Sequence, residues 1–268
     1  MTDDLAQRFL ALHHERRPLL LPNVWDAGSA KLMRSFGFDA LATTSSGHAA
    51  TLGRLDGSVT RDEALAHAAT IVAATDLPVS ADLENGFADD PDGVAETVEQ
   101  ALQTGLAGCS IEDFTGDPDD PIYALDAARA RVAAAVEAAH RGPQTLVLTA
   151  RAENHIHDRP DLEDTIARLQ AFEEAGADVL YAPGLTSAGD IARVVRAVGK
   201  PVNVLARAGA PSISELGELG VSRVSVGGSF AFAALGELRE AALELRDRGT
   251  YSFLERAAAG LKAVREGF

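Results

Sequence analysis

The sequence predicts an α/β chain closed into a (β/α)8 TIM barrel, and three observations carry that prediction. Its 268 residues match the roughly 250 that eight βα units occupy and leave no room for two full-sized domains. Short apolar runs alternate with longer amphipathic stretches from end to end, which is the pattern of strand then helix, repeated. A weak internal repeat sets a glycine just ahead of a strand in Gly37-Phe38-Asp39-Ala40-Leu41, Gly105-Leu106-Ala107-Gly108-Cys109, Gly176-Ala177-Asp178-Val179-Leu180 and Gly220-Val221-Ser222-Arg223-Val224.

The elements follow in order. A first strand at 19–23 leads to a helix at 27–36, which Gly37 ends before the second strand at 39–43. Helix 62–74 precedes strand three at 79–83, and helix 93–104, closed by Gly105, precedes strand four at 108–112. Helix 126–140 leads into strand five at 145–150, and helix 165–175, closed by Gly176, into strand six at 178–182. Helix 187–198 leads into strand seven at 202–205, and Gly220 introduces strand eight at 223–227. Glycine just past a helix end takes the left-handed conformation without a Cβ penalty, so each of these is a stop signal where an αβ turn belongs. The first three are spaced about 70 residues apart, or about 35 per βα unit, as eight units require. Helical patterns at 230–247 and 251–266 go beyond a minimal barrel, so residues 1–268 are read as one barrel domain with 229–268 as additional C-terminal helices. An open doubly wound sheet is the competing fold, but its glycine-rich nucleotide turn is missing, as is a Walker A lysine motif.

Composition excludes several classes of function. Hydrophobic residues make up 46% and charged residues 24%, the balance of a chain that buries a substantial core. Lys and Arg number 24 against 40 Asp and Glu, a net charge of −16, so nucleic acid and anionic lipid are expected to be repelled rather than bound. The single cysteine, Cys109, cannot form an internal disulfide and is read as a buried strand residue. The N-terminal MTDDLAQRFL has no basic n-region or apolar h-region, and no apolar run reaches the 18 or so residues of a membrane helix, which suggests a cytoplasmic protein.

Barrel chemistry sits at the C-terminal ends of the strands, so the polar residues closing each apolar run are the informative ones. Strand three ends with Asp82 and Glu84, two residues apart and hence on one face. Strand four ends in Glu112-Asp113, with Asp113 read as a loop or capping acid. Like charges crowded at a barrel mouth call for a hard divalent cation, Mg2+ first and Mn2+ as the alternative. Strand five ends with Arg151 and Glu153 on one face; an arginine there grips a carboxylate or enolate oxygen, and also fits as an ion-pair partner of Glu112 or Glu153. After the second strand, Thr43–Ala49 reads as a small-residue turn whose amides and hydroxyls suit an anion. Lys31, Lys200 and Lys262 are the only lysines and none falls at the mouth, which excludes a Schiff-base aldolase. His155 and His157 are read as exposed loop residues rather than zinc ligands, and Gly227-Gly228-Ser229 as a close-packing turn with phosphate binding as the alternative.

Taken together and in order, Pro22-Asn23-Val24-Trp25-Asp26-Ala27-Gly28-Ser29-Ala30, Ser46-Gly47, Leu55-Asp56-Gly57, Ala81-Asp82-Leu83-Glu84-Asn85-Gly86, Ile111-Glu112-Asp113 and Ala150-Arg151-Ala152-Glu153 resemble the isocitrate lyase and phosphoenolpyruvate mutase superfamily. The resemblance implies that Asp82 binds Mg2+ while Asp56, Glu84 and Glu112 hold metal-bound waters. It implies that Ser46 and Gly47 receive a substrate carboxylate and that Arg151 faces the 2-oxo or enolate oxygen. It implies a homotetramer in which the C-terminal helices pack on a neighbouring subunit. The superfamily usually has aspartate at the position of Glu84 and threonine at that of Asn85. Its lyases also carry a mobile loop after strand four whose lysine, cysteine, glycine and histidine motif supplies a general acid. Here that stretch, Phe114–Tyr123, has no lysine, cysteine or histidine, so Tyr123, Tyr181, His48 and Asn203 become the candidates to move or orient a proton.

The expected catalytic set is therefore Arg151, Glu112 and His48, the substrate-binding set Ser46, Gly47, Arg151, Asn203 and Tyr181, and the metal set Asp82, Glu84, Glu112 and Asp56. The expected function is Mg2+-dependent C–C cleavage or decarboxylation of a small 2-oxo or 2-hydroxy carboxylic acid through an enolate. A phosphonate or carboxyphosphonate mutase or hydrolase is the alternative within the superfamily, and a 2-oxo acid binding protein the alternative from another class.

Overall fold

Pro22 explains why nine strand segments make an eight-stranded barrel. It has no amide hydrogen to donate, and the expected strand 19–23 divides there into β1 (Leu19–Leu21) and β2 (Asn23–Val24). In the computed structural model, which describes residues 5–268, β1 pairs with the last strand and β2 with the next one along. The other strands are β3 (Leu41–Thr43), β4 (Val79–Asp82), β5 (Gly108–Glu112), β6 (Val147–Arg151), β7 (Val179–Tyr181), β8 (Val202–Leu205) and β9 (Arg223–Ser225). All neighbours are parallel and the order runs β1-β9-β8-β7-β6-β5-β4-β3-β2, which closes the ring with its seam inside the first barrel strand. At the seam, the Pro22 carbonyl still accepts from Ala42 N–H at 3.0 Å.

Outside the ring lie α2 (Ala27–Ser35), α4 (Arg61–Ala73), α5 (Pro91–Leu102), α6 (Leu125–His140), α7 (Leu162–Glu174), α8 (Ala188–Ala197) and the short α9 (Ile213–Glu218). The four repeat glycines behave as expected, with φ of 81° at Gly37, 82° at Gly105, 99° at Gly176 and 88° at Gly220. Leu41, Leu83, Ile111, Leu148, Leu180 and Phe172 are fully buried in the main core.

Two elements depart from the expectations. The helix α1 (Leu5–Leu12) was not anticipated, and its Phe9 is fully buried with Leu19, Leu21, Val147 and Val179. Gly108 makes room for it, since a Cβ there would lie 2.9 Å from Phe9 Cε1 and 2.7 Å from the Val147 carbonyl. This apolar plug closes one end of the barrel, leaving the strand C-terminal ends as the mouth. Thr43–Ala49 is not a turn: Thr44 caps the helix α3 (Ser45–Thr51) through Gly47 N–H at 3.3 Å.

Past the barrel, α10 (Ser229–Arg248) buries only Ala231 and Glu244, and α11 (Leu254–Gly267) buries no residue. Phe232, Leu235, Leu238, Leu245, Leu254 and Leu261 are exposed along the pair. Glu244 fixes the elbow between them by accepting from Thr250 Oγ1 at 2.7 Å and from Ser252 N–H and Oγ at 2.7 and 2.6 Å. Among the described residues, no helix is long and apolar enough to cross a membrane.

Candidate active site

Period-two alternation sends Ser80 and Asp82, Ser110 and Glu112, Thr149 and Arg151 toward the barrel axis, each strand ending in a charged residue at the mouth. The cavity there has two connected compartments. One, of about 150 Å3, runs inward past Tyr181, Asn203, Ser225 and Arg223. The other, of about 270 Å3, opens at the rim between Asp56, Glu84, Glu112, Glu153, Phe114 and His157. Ser45, Asp56, Arg151 and Ile156 line both.

Arg151 is the hub. Its Nη1 lies 2.9 Å from Asp82 Oδ1, its Nη2 2.9 Å from Glu112 Oε2 and its Nε 2.9 Å from Glu153 Oε1. The guanidinium also sits 5.2 Å from the centre of the Tyr181 ring. One guanidinium cannot balance the five carboxylates of Asp56, Asp82, Glu84, Glu112 and Glu153, and the acids respond. Burial, then the charges of Asp82 and Asp56, push the Glu84 carboxyl up to about 8. Burial pushes Glu153 up to about 7 against the pull of Arg151. Glu112 is also driven well above the ordinary carboxylate range, by burial first. Glu84 further adopts φ of 48°, a left-handed conformation that costs a non-glycine residue about 1–3 kcal/mol and that gathers at functional sites.

The expected metal set thus meets at one rim, but Asp82 and Glu112 are bridged by Arg151 rather than facing each other directly. Among the described residues, no three acidic, histidine or cysteine side chains form a ready-made metal cage. The donors are all oxygens, spread around the mouth with surplus negative charge. That set fits a hydrated hard cation taking one or two direct carboxylates and keeping its waters.

The substrate-binding set divides. Ser46 lines the inner compartment, its Oγ 3.2 Å from Thr44 Oγ1. Asn203 lines it too, donating to Ser225 Oγ and accepting from Arg223 Nε, both at 2.9 Å. Tyr181 lies beside them, nearly buried. Gly47 does not line it, because its amide is engaged by the Thr44 cap and its Cα faces Trp25 and Ala231. The phosphate alternative at Gly227-Gly228 also meets occupied amides, since Val226 and Gly227 N–H donate to Asn23 Oδ1 at 3.0 and 2.9 Å.

His48 corrects an expectation. It is not among the cavity-lining residues; its ring stacks on His67 at 3.8 Å, and both its nitrogens are buried without a partner. The helical turn of α3 is the cause: at about 100° per residue, two positions rotate a side chain some 200° away from the direction of Ser46. Tyr123 is likewise elsewhere, donating to Asp89 Oδ1 at 2.8 Å under the Arg131 guanidinium. Asp113 is structural, accepting from Glu153 N–H at 2.8 Å and pairing with Arg168 at 3.1 Å.

Neither His155, half-buried with its Nε2 buried and unpartnered, nor His157 is the exposed loop residue that the sequence suggests, and it is His157 that reaches the site. Rather than an exposed loop side chain, it lies at the rim, stacked on Phe114 at 3.9 Å and 7° and 3.7 Å from Glu153 Oε2. Glu153 was legible from its alternation with Arg151, but the Phe114 contact joins two separate loops and has no local signature.

Comparison with known proteins gives a consistent picture. The profile of the family described as phosphoenolpyruvate phosphomutase matches residues 9–246. A crystal structure from Burkholderia cenocepacia, provisionally described as a lyase/mutase, is 54% identical with a TM-score of 0.93 over 97% of this chain and 94% of that one. An uncharacterized protein of Mycobacterium tuberculosis (strain CDC 1551 / Oshkosh) is 37% identical over 82% of this chain and 81% of its own. The crystal structure of 2,3-dimethylmalate lyase, a member of the PEP mutase/isocitrate lyase superfamily, is 30% identical with a TM-score of 0.84, covering 94% of this chain and 90% of that one.

Proposed function

The chain belongs to the phosphoenolpyruvate phosphomutase family, and from that premise we propose that it is a Mg2+-dependent lyase cleaving a C–C bond in a small 2-hydroxy or 2-oxo carboxylic acid. Its relatives are lyases and mutases, and it is an enzyme of that kind. The observation that carries the substrate class is the Arg151 guanidinium held at 2.9 Å from Asp82 and from Glu112 at the mouth of a polar cavity. Arg151 supplies the fixed charge and planar donors that suit a carboxylate or enolate oxygen. Asp82 is the direct metal ligand in this reading, with Asp56, Glu84 and Glu112 holding the ion's waters. Bound there, Mg2+ supplies Lewis acidity toward the negative charge that develops as the bond breaks. The Ser46 hydroxyl and the Asn203 amide, both lining the inner compartment, orient the substrate.

Lyase chemistry is put before phosphoryl transfer because a migrating phosphoryl group needs several cations around it and Phe114–Tyr123 supplies no lysine, arginine or histidine, whereas cleavage needs a single proton carrier that another element can supply. The unpartnered apolar side chains of α10 and α11 support assembly into a homotetramer, and the absence of a spanning helix among the described residues fits a cytoplasmic location.

Calorimetry with oxalate, pyruvate, oxaloacetate and 2-oxoglutarate, with and without Mg2+, tests the site; release of pyruvate from 2-methylmalates tests the reaction. Mg2+-dependent binding of oxalate followed by turnover is expected. Failure of all four acids to bind in the presence of Mg2+ would remove the reading.

A further inference from the structure

The segment after β5 lacks the usual proton-carrying side chains, yet the rim holds an imidazole that no assigned role uses. We infer that His157 is the proton carrier of the reaction, taking over from a catalytic loop that this chain does not have. The inference deepens the function proposed above and rests on it.

Geometry points this way first. His157 lines the rim compartment together with Arg151, Glu112 and Glu84, so an acid held by Arg151 shares a cavity with the imidazole. Phe114 covers one face of the ring at 3.9 Å, nearly parallel at 7°. Phe114 is itself fixed, because its segment folds back on itself through an antiparallel bridge to Ile122, with Thr115 N–H donating to the Pro121 carbonyl at 2.9 Å and Tyr123 N–H to that of Asp113 at 3.0 Å. The second hold on the ring is Glu153, with Oε2 3.7 Å from His157 Nε2 and Oε1 2.9 Å from Arg151 Nε. Glu153 therefore stands between Arg151 and His157, joining the substrate anchor to the imidazole at the rim. At 3.7 Å the Glu153 carboxylate is beyond hydrogen-bond reach of the ring and acts on it as a nearby charge, one that favours the imidazolium formed when the ring takes a proton.

Protonation state agrees. The groups acting on the ring are Arg151, Glu153 and Asp158, and burial followed by the Arg151 charge holds His157 below its ordinary 6.5. At neutral pH the imidazole is unprotonated and able to accept.

On a 2-alkylmalate the step balances without any further reagent. The imidazole takes the C2 hydroxyl proton, the O–H electrons form the C2 carbonyl, and the C2–C3 bond breaks. Its electron pair remains with C3, delocalised into the adjacent carboxylate. The imidazolium then returns the same proton to C3, giving a 2-oxo acid and a carboxylate with His157 restored.

The test uses the full-length protein with Mg2+ and compares wild type with His157→Gln. Turnover of 2,3-dimethylmalate is expected to fall about 100- to 10,000-fold, the usual size of a general acid–base contribution, while calorimetric affinity for oxalate stays within about threefold. The acid limb of the wild-type pH profile is expected to disappear in the variant. In wild type, the imidazole resonance assigned by its loss in His157→Gln is expected to shift on saturation with oxalate. Turnover within about threefold of wild type, or an imidazole resonance unmoved while oxalate is bound, overturns the role of His157 alone. If wild type itself binds no oxalate, the function proposed for the site falls and this role falls with it.

Discussion

Arg223, near the barrel floor, and Arg151, at its mouth, are both buried guanidiniums, and their surroundings are opposite. Arg223 donates to Asn203 Oδ1 at 2.9 Å and Thr149 Oγ1 at 3.1 Å, and its Nη1 lies 3.2 Å from His13 Nε2. His13 Nδ1 lies 2.8 Å from the Phe9 carbonyl, and burial with the nearby Arg223 pushes its ring down to about 3, so Nε2 is left as an acceptor. No carboxylate is among these partners, and burial draws Arg223 itself down to about 10. Arg151 has three carboxylates in contact and two more nearby, and those acids hold its guanidinium well above the ordinary value against the opposing effect of burial. The floor is complete with neutral dipoles. The mouth gathers more carboxylates than its one guanidinium can pair with, a balance that suits the further cation proposed for it. Polarity alone would not separate the two regions; the charge balance does.

The harshest way to break this contrast is Arg151→Met. Asp82, Glu112 and Glu153 would lose the buried counter-charge they share, so urea denaturation at pH 8 should show a loss of about 3–5 kcal/mol and calorimetry should detect no oxalate binding. Arg151→Lys keeps the charge but not the planar fork, and its weaker oxalate affinity with a smaller stability loss would separate charge from geometry. Arg223→Met leaves His13 and Asn203 short of a partner, at about 1–3 kcal/mol, with a smaller loss of oxalate affinity than Arg151→Lys shows. A large loss of affinity there would erase the distinction between floor and mouth.

Acidity provides a gentler probe. Glu84 titrates near 8 in the folded protein against an ordinary 4.5, so between these values the folded state holds a proton that the unfolded state has released. Stability of the metal-free protein therefore falls as pH rises through this window, while His13 opposes this only below its ordinary 6.5. Urea midpoints at pH 6.5 and 8.5 should show the decline, and Mg2+ should restore more stability at the higher pH. The smallest effect belongs to His48→Phe. With both ring nitrogens already unpartnered, an apolar ring of similar shape should leave turnover within about twofold and melting stability within about 1 kcal/mol.

The acids at 82 and 112 and the arginine at 151 were legible because a strand has a strict period of two and a barrel has one reactive end. The same rule failed one turn later. Ser46 and His48 look equivalent if the chain after Thr43 is extended, and become opposite once Thr44 caps a helix. The floor could have been seen, since Leu5, Phe9 and Leu12 have helical spacing; Pro22 as the seam could not, because which neighbour each half-strand takes depends on ring closure. His157 owes its position to Phe114, a contact across two loops that neither loop encodes alone.

The hairpin at 114–123 has one more consequence. Its backbone closes on itself, Thr115 Oγ1 also donating to the Asp120 carbonyl at 2.7 Å, and its far end is tied to the rest of the barrel by Tyr123, whose hydroxyl donates to Asp89 and whose carbonyl accepts from Arg168. Where an enzyme closes a lid, fit is judged by induced movement and turnover is often gated by reopening. Here Phe114 already walls the rim against His157, so on the proposed reading a wrong substrate meets a collision at the threshold rather than a failure to shut.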